Sequence, residues 1–156
     1  MPSYTRTFVF KLHNNTAVYN NIVAHFVQGH SPNCTFCDIL ENQEINDETP
    51  LHLFYACPTV ENFLGNIFTW IIGEPTVISR QELFVVFNRE NHRQNELLHI
   101  LASLLKKFIW DCKQRFTTPS LHNAKIFLLE EVKIMCTISQ TFNIIYQNSG
   151  IILAMG

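Results

Sequence analysis

The chain lacks any long apolar run. Apolar residues make up 47% of its 156 residues, yet no stretch of about 18 consecutive apolar residues, the length typical of a membrane-spanning helix, occurs. The N-terminal segment MPSYTRTFVF carries an arginine where a signal peptide has its apolar core. The sequence therefore predicts neither a membrane span nor secretion, and an intracellular protein, cytoplasmic or nuclear, is expected.

Lysine and arginine are absent from residues 12–79. That stretch contains seven acidic residues, whereas residues 80–156 carry nine basic and six acidic side chains. The net charge of the whole chain is −2. Because strong nucleic-acid binders carry a basic surface, this composition argues against a strong free-standing binder and against the acidic knuckle as the contact region.

The sequence motifs of polymerases are missing, and those of nucleases are incomplete. No Tyr-x-Asp-Asp or similar paired-aspartate stretch is present, and the chain is too short for a polymerase domain. Glu131 and Lys133 have the Glu-x-Lys spacing of metal-dependent nucleases, which need this pair on a strand beside an upstream aspartate. Here the pair lies in a helical pattern, which favours a solvated helix face. The sequence therefore predicts no catalytic activity.

Cysteine is present in an odd number, five, and three of the five lie within residues 31–58. In an intracellular chain this pattern favours thiols or metal ligands over disulfides. Cys34 and Cys37 are separated by two residues, which lets a tight turn direct both sulfurs to one point. His52 and Cys57, separated by four residues, supply a second pair of ligands if the helical turn that carries them loosens.

Together these four side chains predict a closed structural zinc site. Three thiolates and one imidazole fill a tetrahedron and leave no open position for a reacting water. A Thr-Pro pair supplies helix-start signals just before His52. In the alternative interpretation the C-x-x-C pair is incidental, Cys57 belongs to the core and His52 caps a helix. The other two cysteines, Cys112 and Cys136, lie on apolar helix faces and are expected to be buried.

Apolar residues recur at helical spacing along most of the chain, so a mostly α-helical single domain spanning residues 1–156 is predicted. It comprises a helical lead-in (4–30), the zinc knuckle (31–58) and a helical region (59–150). The pattern of residues 4–12 fits a strand or a helix, and a helix is favoured. Two more helices are predicted before residue 73. The first spans 17–27 after a Thr16 cap, and its apolar face consists of Val18, Ile22, Val23 and Phe26. The second runs from Pro58 to Ile72 and ends before Gly73. Three follow: a short one after a Ser79–Glu82 capping box, a long one within 91–116, and one from a Thr118 cap to near Gly150.

Part of this sequence resembles a known family. The C-x-x-C pair, followed by DETPLHLFYACP and later by LLKKFIWDCKQR, resembles the zinc-binding domain at the C-terminus of reverse transcriptases from non-LTR (LINE-type) retrotransposons. The matching positions are Glu48, Thr49, His52, Leu53, Phe54, Cys57, Pro58, Ile109 and Trp110. The likeness covers most of residues 4–118. Between Cys37 and His52 the gap is longer than is usual in the family, and the surplus residues 40–47 are expected to form a surface loop.

The resemblance implies a noncatalytic module behind a polymerase domain of the same polypeptide, where it helps to hold template RNA or target DNA. The residues predicted to make this contact are Lys106, Lys107, Trp110, Lys113 and Arg115. Lys106 and Lys113 would share one helix face, Trp110 would stack on a base, and the acidic pair Asp47 and Glu48 would play no part. Two alternatives stay open: docking against the polymerase without nucleic-acid contact, and a solvated helix end with a half-buried Trp110.

Overall fold

The computed structural model describes residues 3–14, 16–40, 46–90, 92–151 and 153, and within these ranges the chain is mostly helical, as predicted. The helices are α1 (Ser3–His13), α2 (Asn20–Phe26), α3 (Thr35–Ile39), a π-helical turn (His52–Ala56), α4 (Pro58–Ile72), α5 (Arg80–Phe84), α6 (His92–Gln114), α7 (Leu121–Ile138) and α8 (Gln140–Asn148). Most of the surface loop predicted at 40–47 lies outside the described residues. None of the described helices is long and apolar enough to cross a membrane.

Helix α4 begins and ends, and helix α5 begins, at the residues that their local signals indicate. Pro58 occupies the first turn of α4, where its missing N–H removes no helical hydrogen bond. Gly73 ends α4 with φ of 87°, in the left-handed region that glycine adopts without strain. The capping box before α5 is also present: the Glu82 backbone N–H donates to the Ser79 hydroxyl, and the Ser79 N–H donates to the Glu82 carboxylate.

The long helix α6 lies at the centre of the core and contacts α1, α7 and α8. Six of its apolar side chains are completely inaccessible to solvent: Leu97, Leu98, Leu101, Leu104, Leu105 and Ile109. Their spacing follows the 3.6-residue period of a helix that is surrounded by other elements. This core extends without interruption into the cysteine-rich region, because Phe36, Leu53 and Phe54 belong to the same cluster of buried residues.

The prediction for α2 was wrong in both its start and its buried face. The helix begins at Asn20 rather than at residue 17, and Val18, Ile22 and Phe26 are exposed to solvent. Tyr19 is buried instead, with φ of −89° and ψ of 158°, and its ring centroid lies 5.5 Å from that of Trp110. An extended backbone at Tyr19 places this ring in the core and prevents the helix from starting at residue 17, three residues earlier.

The last predicted helix is two helices, and its start lies two residues later than expected. Ser120, not Thr118, caps α7 by accepting a hydrogen bond from the backbone N–H of Asn123. The chain then leaves the helical conformation at Ser139, whose hydroxyl caps α8 through the N–H of Phe142. This break reorients the chain so that α8 packs against α6 and α7 and buries Phe142.

Candidate metal centre

The first pair of candidate ligands lies at the start of α3. Cys34 is the residue that precedes this helix, and Cys37 lies in its first turn. The backbone N–H of Cys34 donates to the carbonyl of Asn46 at 2.8 Å, and that of Glu48 donates to Pro32 at 2.8 Å. These two bonds hold the C-x-x-C turn against the segment that leads to the second pair.

The second pair is carried by the π-helical turn. Its N-terminal end is capped by Thr49, whose hydroxyl accepts a hydrogen bond from the N–H of His52 at 3.1 Å. The N–H of Cys57 donates to the carbonyl of His52 at 2.8 Å, which is the five-residue hydrogen bond of a π-helix. Residues five apart do not share a face of an ordinary α-helix, so this wider turn is what brings His52 and Cys57 together, and the predicted loosening is confirmed.

Cys34, Cys37, His52 and Cys57 converge on one point. Their ligand atoms all lie within 4.8 Å of one another, and the Cys37 Sγ lies 3.3 Å from His52 Nε2 and 3.8 Å from Cys57 Sγ. The three cysteines are buried, His52 is partly buried, and all five cysteines of the chain are free thiols. Such a group could hold a metal ion.

The three thiols of the cluster differ in acidity because they interact with one another. The pKa of Cys57 is lowered to about 5, first by a hydrogen bond from the Cys34 thiol and then by backbone N–H groups at the start of α4, while burial opposes the shift. Its partner Cys34 has a raised pKa, first from that same hydrogen bond and then from burial. Burial also raises the pKa of Cys37 to about 11, with the charge of Cys57 as the next cause. Burial and the charge of the Cys57 thiolate therefore both oppose ionisation of the other two thiols. A cation at the centre would favour ionisation of all three.

A buried carboxylate beside the cluster was missed by the sequence analysis, which treated Glu48 as a surface acid. Glu48 is 0% exposed. One of its oxygens accepts a hydrogen bond from the Asn20 N–H at 3.0 Å, and the other accepts from the Thr35 N–H at 3.0 Å and the Thr35 hydroxyl at 2.8 Å. Glu48 therefore ties together the starts of α2 and α3. The only sequence signal for this role was its place in the motif that includes His52.

Lys113 completes this network from the far end of α6. Its ammonium group forms an ion pair with Glu48, and the two side chains are 6% and 0% exposed. The same ammonium lies 4.5 Å from the centroid of the Trp110 ring. A buried carboxylate needs such a partner, because an unpaired charge in the interior is costly. The knuckle and the long helix are thus joined by an ion pair as well as by apolar contacts.

The structure does not bring the five predicted nucleic-acid-binding residues to one exposed face. Lys106 is buried and donates to the carbonyl of Leu83 at 3.0 Å, and Lys113 is buried in its ion pair. Lys107 pairs with Asp111 on the next turn of α6.

Trp110 packs between Phe8, Tyr19 and Lys113, and Arg115 alone among the five is exposed. The shared face expected for Lys106 and Lys113 exists, but it points into the core.

We expect replacement of Lys106 by methionine to stabilise the chain. Burial lowers the pKa of Lys106 from 10.5 to about 8. Below pH 8 the Lys106 ammonium is charged in both states, and its burial on folding lowers the free energy of unfolding. As the pH rises from 8 towards 10.5, the folded state releases this proton while the unfolded state retains it, so the loss of stability disappears. Lys106→Met should therefore raise the free energy of unfolding near pH 7 by about 1–3 kcal/mol, after allowance for the lost bond to Leu83.

Urea unfolding of both chains near pH 7 and near pH 10 measures this difference, which should shrink at the higher pH. Lys133→Met is the matched control, since Lys133 is an exposed lysine on α7, and its effect should stay within about 0.5 kcal/mol. A Lys106→Met chain that is less stable than the parent at both pH values contradicts the prediction.

The Glu-x-Lys pair lies on helix α7, not on a strand. Lys133 is exposed, as expected of a solvated face, but Glu131 is 5% exposed and accepts a hydrogen bond from the Tyr4 hydroxyl. Burial and then this hydrogen bond raise the pKa of Tyr4 to about 12. Glu131 therefore links α7 to α1, and the expectation of a solvated carboxylate at this position was wrong.

The residues that carry the family resemblance have local structural roles. Leu53 and Phe54 lie in the core beside the π-helical turn, Pro58 starts α4, and Ile109 is completely buried on α6. These roles do not themselves identify a family, and the resemblance to reverse-transcriptase zinc domains stays a prediction. Comparison with protein-family models, curated proteins and solved structures finds no match to this chain.

Proposed function

We propose that this chain is a noncatalytic zinc-binding module, in which one zinc ion held by Cys34, Cys37, His52 and Cys57 has a structural role. The observation that supports this most directly is the convergence of the four ligand atoms within 4.8 Å. Three sulfurs and one imidazole nitrogen are the ligands of closed structural zinc sites, and thiolates select against the hard cations magnesium and calcium.

The proposed ion would link two short elements whose flanking segments are also joined by two backbone hydrogen bonds. Cys34 precedes and Cys37 lies in α3, which is only five residues long, and His52 begins the five-residue π-helical turn that Cys57 follows. Neither element is long enough to form a stable helix alone. Four metal–ligand bonds would fix α3 to the turn and, through Cys57, to the start of α4.

Elemental analysis of the purified, reduced chain tests this proposal, with one zinc per chain as the expected result. Cys34→Ser and Cys57→Ser should lose most of the zinc, because each removes one of four ligands. Cys136→Ser is the matched control, since Cys136 lies on α7 outside the cluster. The proposal fails if the parent chain contains no zinc, or if the ligand variants retain as much zinc as the control.

We further propose that the module assists RNA or DNA binding, which is the role that the resemblance implies. Because the lysines near the end of α6 are buried or paired, the contact would have to use other side chains than those predicted. Helix α1 supports this role, since it exposes Arg6 and Lys11 together with Phe10 and contains no acidic residue. Exposed cations beside exposed aromatic rings are typical of surfaces that bind single-stranded nucleic acid.

Docking onto the polymerase domain of a larger polypeptide is the second candidate function. It is favoured by an apolar stripe along the exposed side of α7, where Ile126, Ile134 and Ile138 are 44%, 47% and 65% exposed. These positions lie eight and four residues apart and therefore share one helix face. Monomeric behaviour of the isolated chain at high concentration, unchanged in an Ile134→Lys, Ile138→Lys variant, argues against this candidate.

A further inference from the structure

Phe116 is both strained and exposed. Its φ is 53°, and it is the one non-glycine residue in the described chain with positive φ. It follows α6, where its N–H donates to Lys113 and the next N–H donates to Cys112, the bond pattern in which glycine is the usual residue. The ring is 75% exposed, so packing does not offset the strain. Backbone strain that packing does not offset is concentrated at functional sites, so Phe116 is a candidate for a functional role.

Phe116 lies on the wall of a large cavity. The cavity has a volume of about 890 Å³ and is bounded by α1, α2, α3 and the end of α6. That volume falls within the range of roughly 300–1,000 Å³ for pockets that bind small ligands. Its lining combines the aromatic rings of Trp110 and Phe116 with uncharged polar side chains such as Thr7, Thr16, Ser31 and Gln114.

The lining of this cavity contains three lysines and two aspartates, of which Asp38 accepts a hydrogen bond from the Asn33 amide. Lys113 and Lys107 line it, but they pair with Glu48 and Asp111. Lys11 also lines it and forms no ion pair among the residues that the structure describes. The exposed Arg115 directly precedes Phe116 in the chain. The cavity thus suits a neutral planar group that is attached to an anion.

We propose that this cavity receives one unpaired base of a single-stranded nucleic acid, which stacks on Phe116 while its phosphate contacts Lys11. The inference rests on the proposed role in RNA or DNA binding and assigns that role a site. Trp110 is not the stacking surface, because Lys113 covers its ring. Threonine, serine and glutamine side chains can donate to and accept from the edge of a base. The hydroxyls of Thr7 and Thr16 already donate to the backbone carbonyls of Ser3 and Lys11, so towards a base these two side chains act as acceptors.

Phe116→Gly distinguishes a ligand contact from a structural role, because the two predict opposite effects on stability. Glycine removes the backbone strain, so the melting temperature should rise by about 2–4 °C in a chain of this size. Loss of the stacking ring should weaken binding roughly ten-fold. The measurement is fluorescence anisotropy with labelled oligouridine and oligothymidine of about twelve nucleotides, titrated against the zinc-loaded full chain at several salt concentrations.

Three further variants separate the ring from its surroundings. Phe116→Ala should lose binding without the gain in melting temperature, since alanine retains the strain, and Phe116→Tyr should restore binding. Lys11→Glu should weaken binding and lower the slope of log affinity against log salt by about one. Ile138→Ala is the control for loss of an exposed apolar side chain elsewhere and should bind like the parent.

The inference is overturned if Phe116→Gly binds either oligonucleotide as tightly as the parent chain. It is also overturned if a duplex binds with the same dependence on Phe116, or if phosphatidylserine vesicles bind while both oligonucleotides do not. Zinc content is measured in the same samples. If the chain holds one zinc ion but binds neither oligonucleotide, this inference is rejected and the proposed zinc site is not. If a folded, zinc-free chain binds an oligonucleotide in a Phe116-dependent way, the structural role of zinc is rejected and this inference is not. If oligouridine and oligothymidine bind equally, the site does not use the ribose hydroxyl.

Discussion

Removal of zinc by a chelator is expected to unfold the zinc knuckle, residues 31–58. Structural zinc contributes roughly 10–16 kcal/mol of apparent binding free energy in small peptides, whereas the net stability of a whole domain is only about 5–15 kcal/mol. The two short elements that carry the ligands cannot replace that contribution. Buried side chains of the knuckle, Phe36 and Phe54 among them, would then be exposed to solvent.

Hydrogen exchange with and without chelator measures this effect segment by segment. Protection should disappear from residues 31–58 and persist in α6 and α7, which contact each other and carry none of the four candidate ligands. Addition of zinc should restore protection, which excludes irreversible damage as the cause. Unchanged protection of α3 and the π-helical turn, in a sample shown to have lost its metal, contradicts the prediction.

Replacement of Glu48 by alanine is expected to lower the free energy of unfolding by about 3–5 kcal/mol. The change leaves the buried ammonium of Lys113 without its anion and removes the acceptor of the Asn20 and Thr35 backbone N–H groups. Lys113→Met should cost less, because those hydrogen bonds still hold the carboxylate. The double change Glu48→Gln, Lys113→Met should cost less than the sum of its two single changes.

Chemical denaturation of the zinc-loaded variants provides these values, and zinc content shows whether the knuckle stays intact. Asp47→Ala is the matched control: Asp47 is the preceding acidic residue, it is exposed, and its replacement should change stability by no more than about 0.5 kcal/mol. Were Glu48→Ala as stable as Asp47→Ala, the buried ion pair would have no structural importance. If the alanine variant does not fold, Glu48→Gln supplies the comparison.

Local signals determined much of the helical framework. Pro58 and Gly73 mark the ends of α4, and Ser79 with Glu82 marks the start of α5, because a cap or a helix stop depends on residues within one turn. The candidate ligand set was predicted for the same reason. Two-residue and four-residue spacings restrict where Cys34, Cys37, His52 and Cys57 can point, whatever surrounds them.

Long-range packing decided what local patterns could not. Val18 and Ile22 have helical apolar spacing, yet the neighbouring Tyr19 is the residue that packs against Phe54 and Trp110. Ser139 interrupts a continuous helical pattern because α8 must turn back onto α6 and α7.

Charge was the property that sequence alone predicted least well. Glu48, Lys106 and Lys113 look like ordinary surface residues, and a charged side chain is exposed unless a distant part of the chain supplies a partner. Whether such a partner exists depends on how α2, α3 and α6 come together, which no local pattern records. The sequence by itself therefore determined most of the helices and the candidate ligand set. Only the tertiary structure decided which charges are buried in pairs and which, like Lys11, form no ion pair among the described residues.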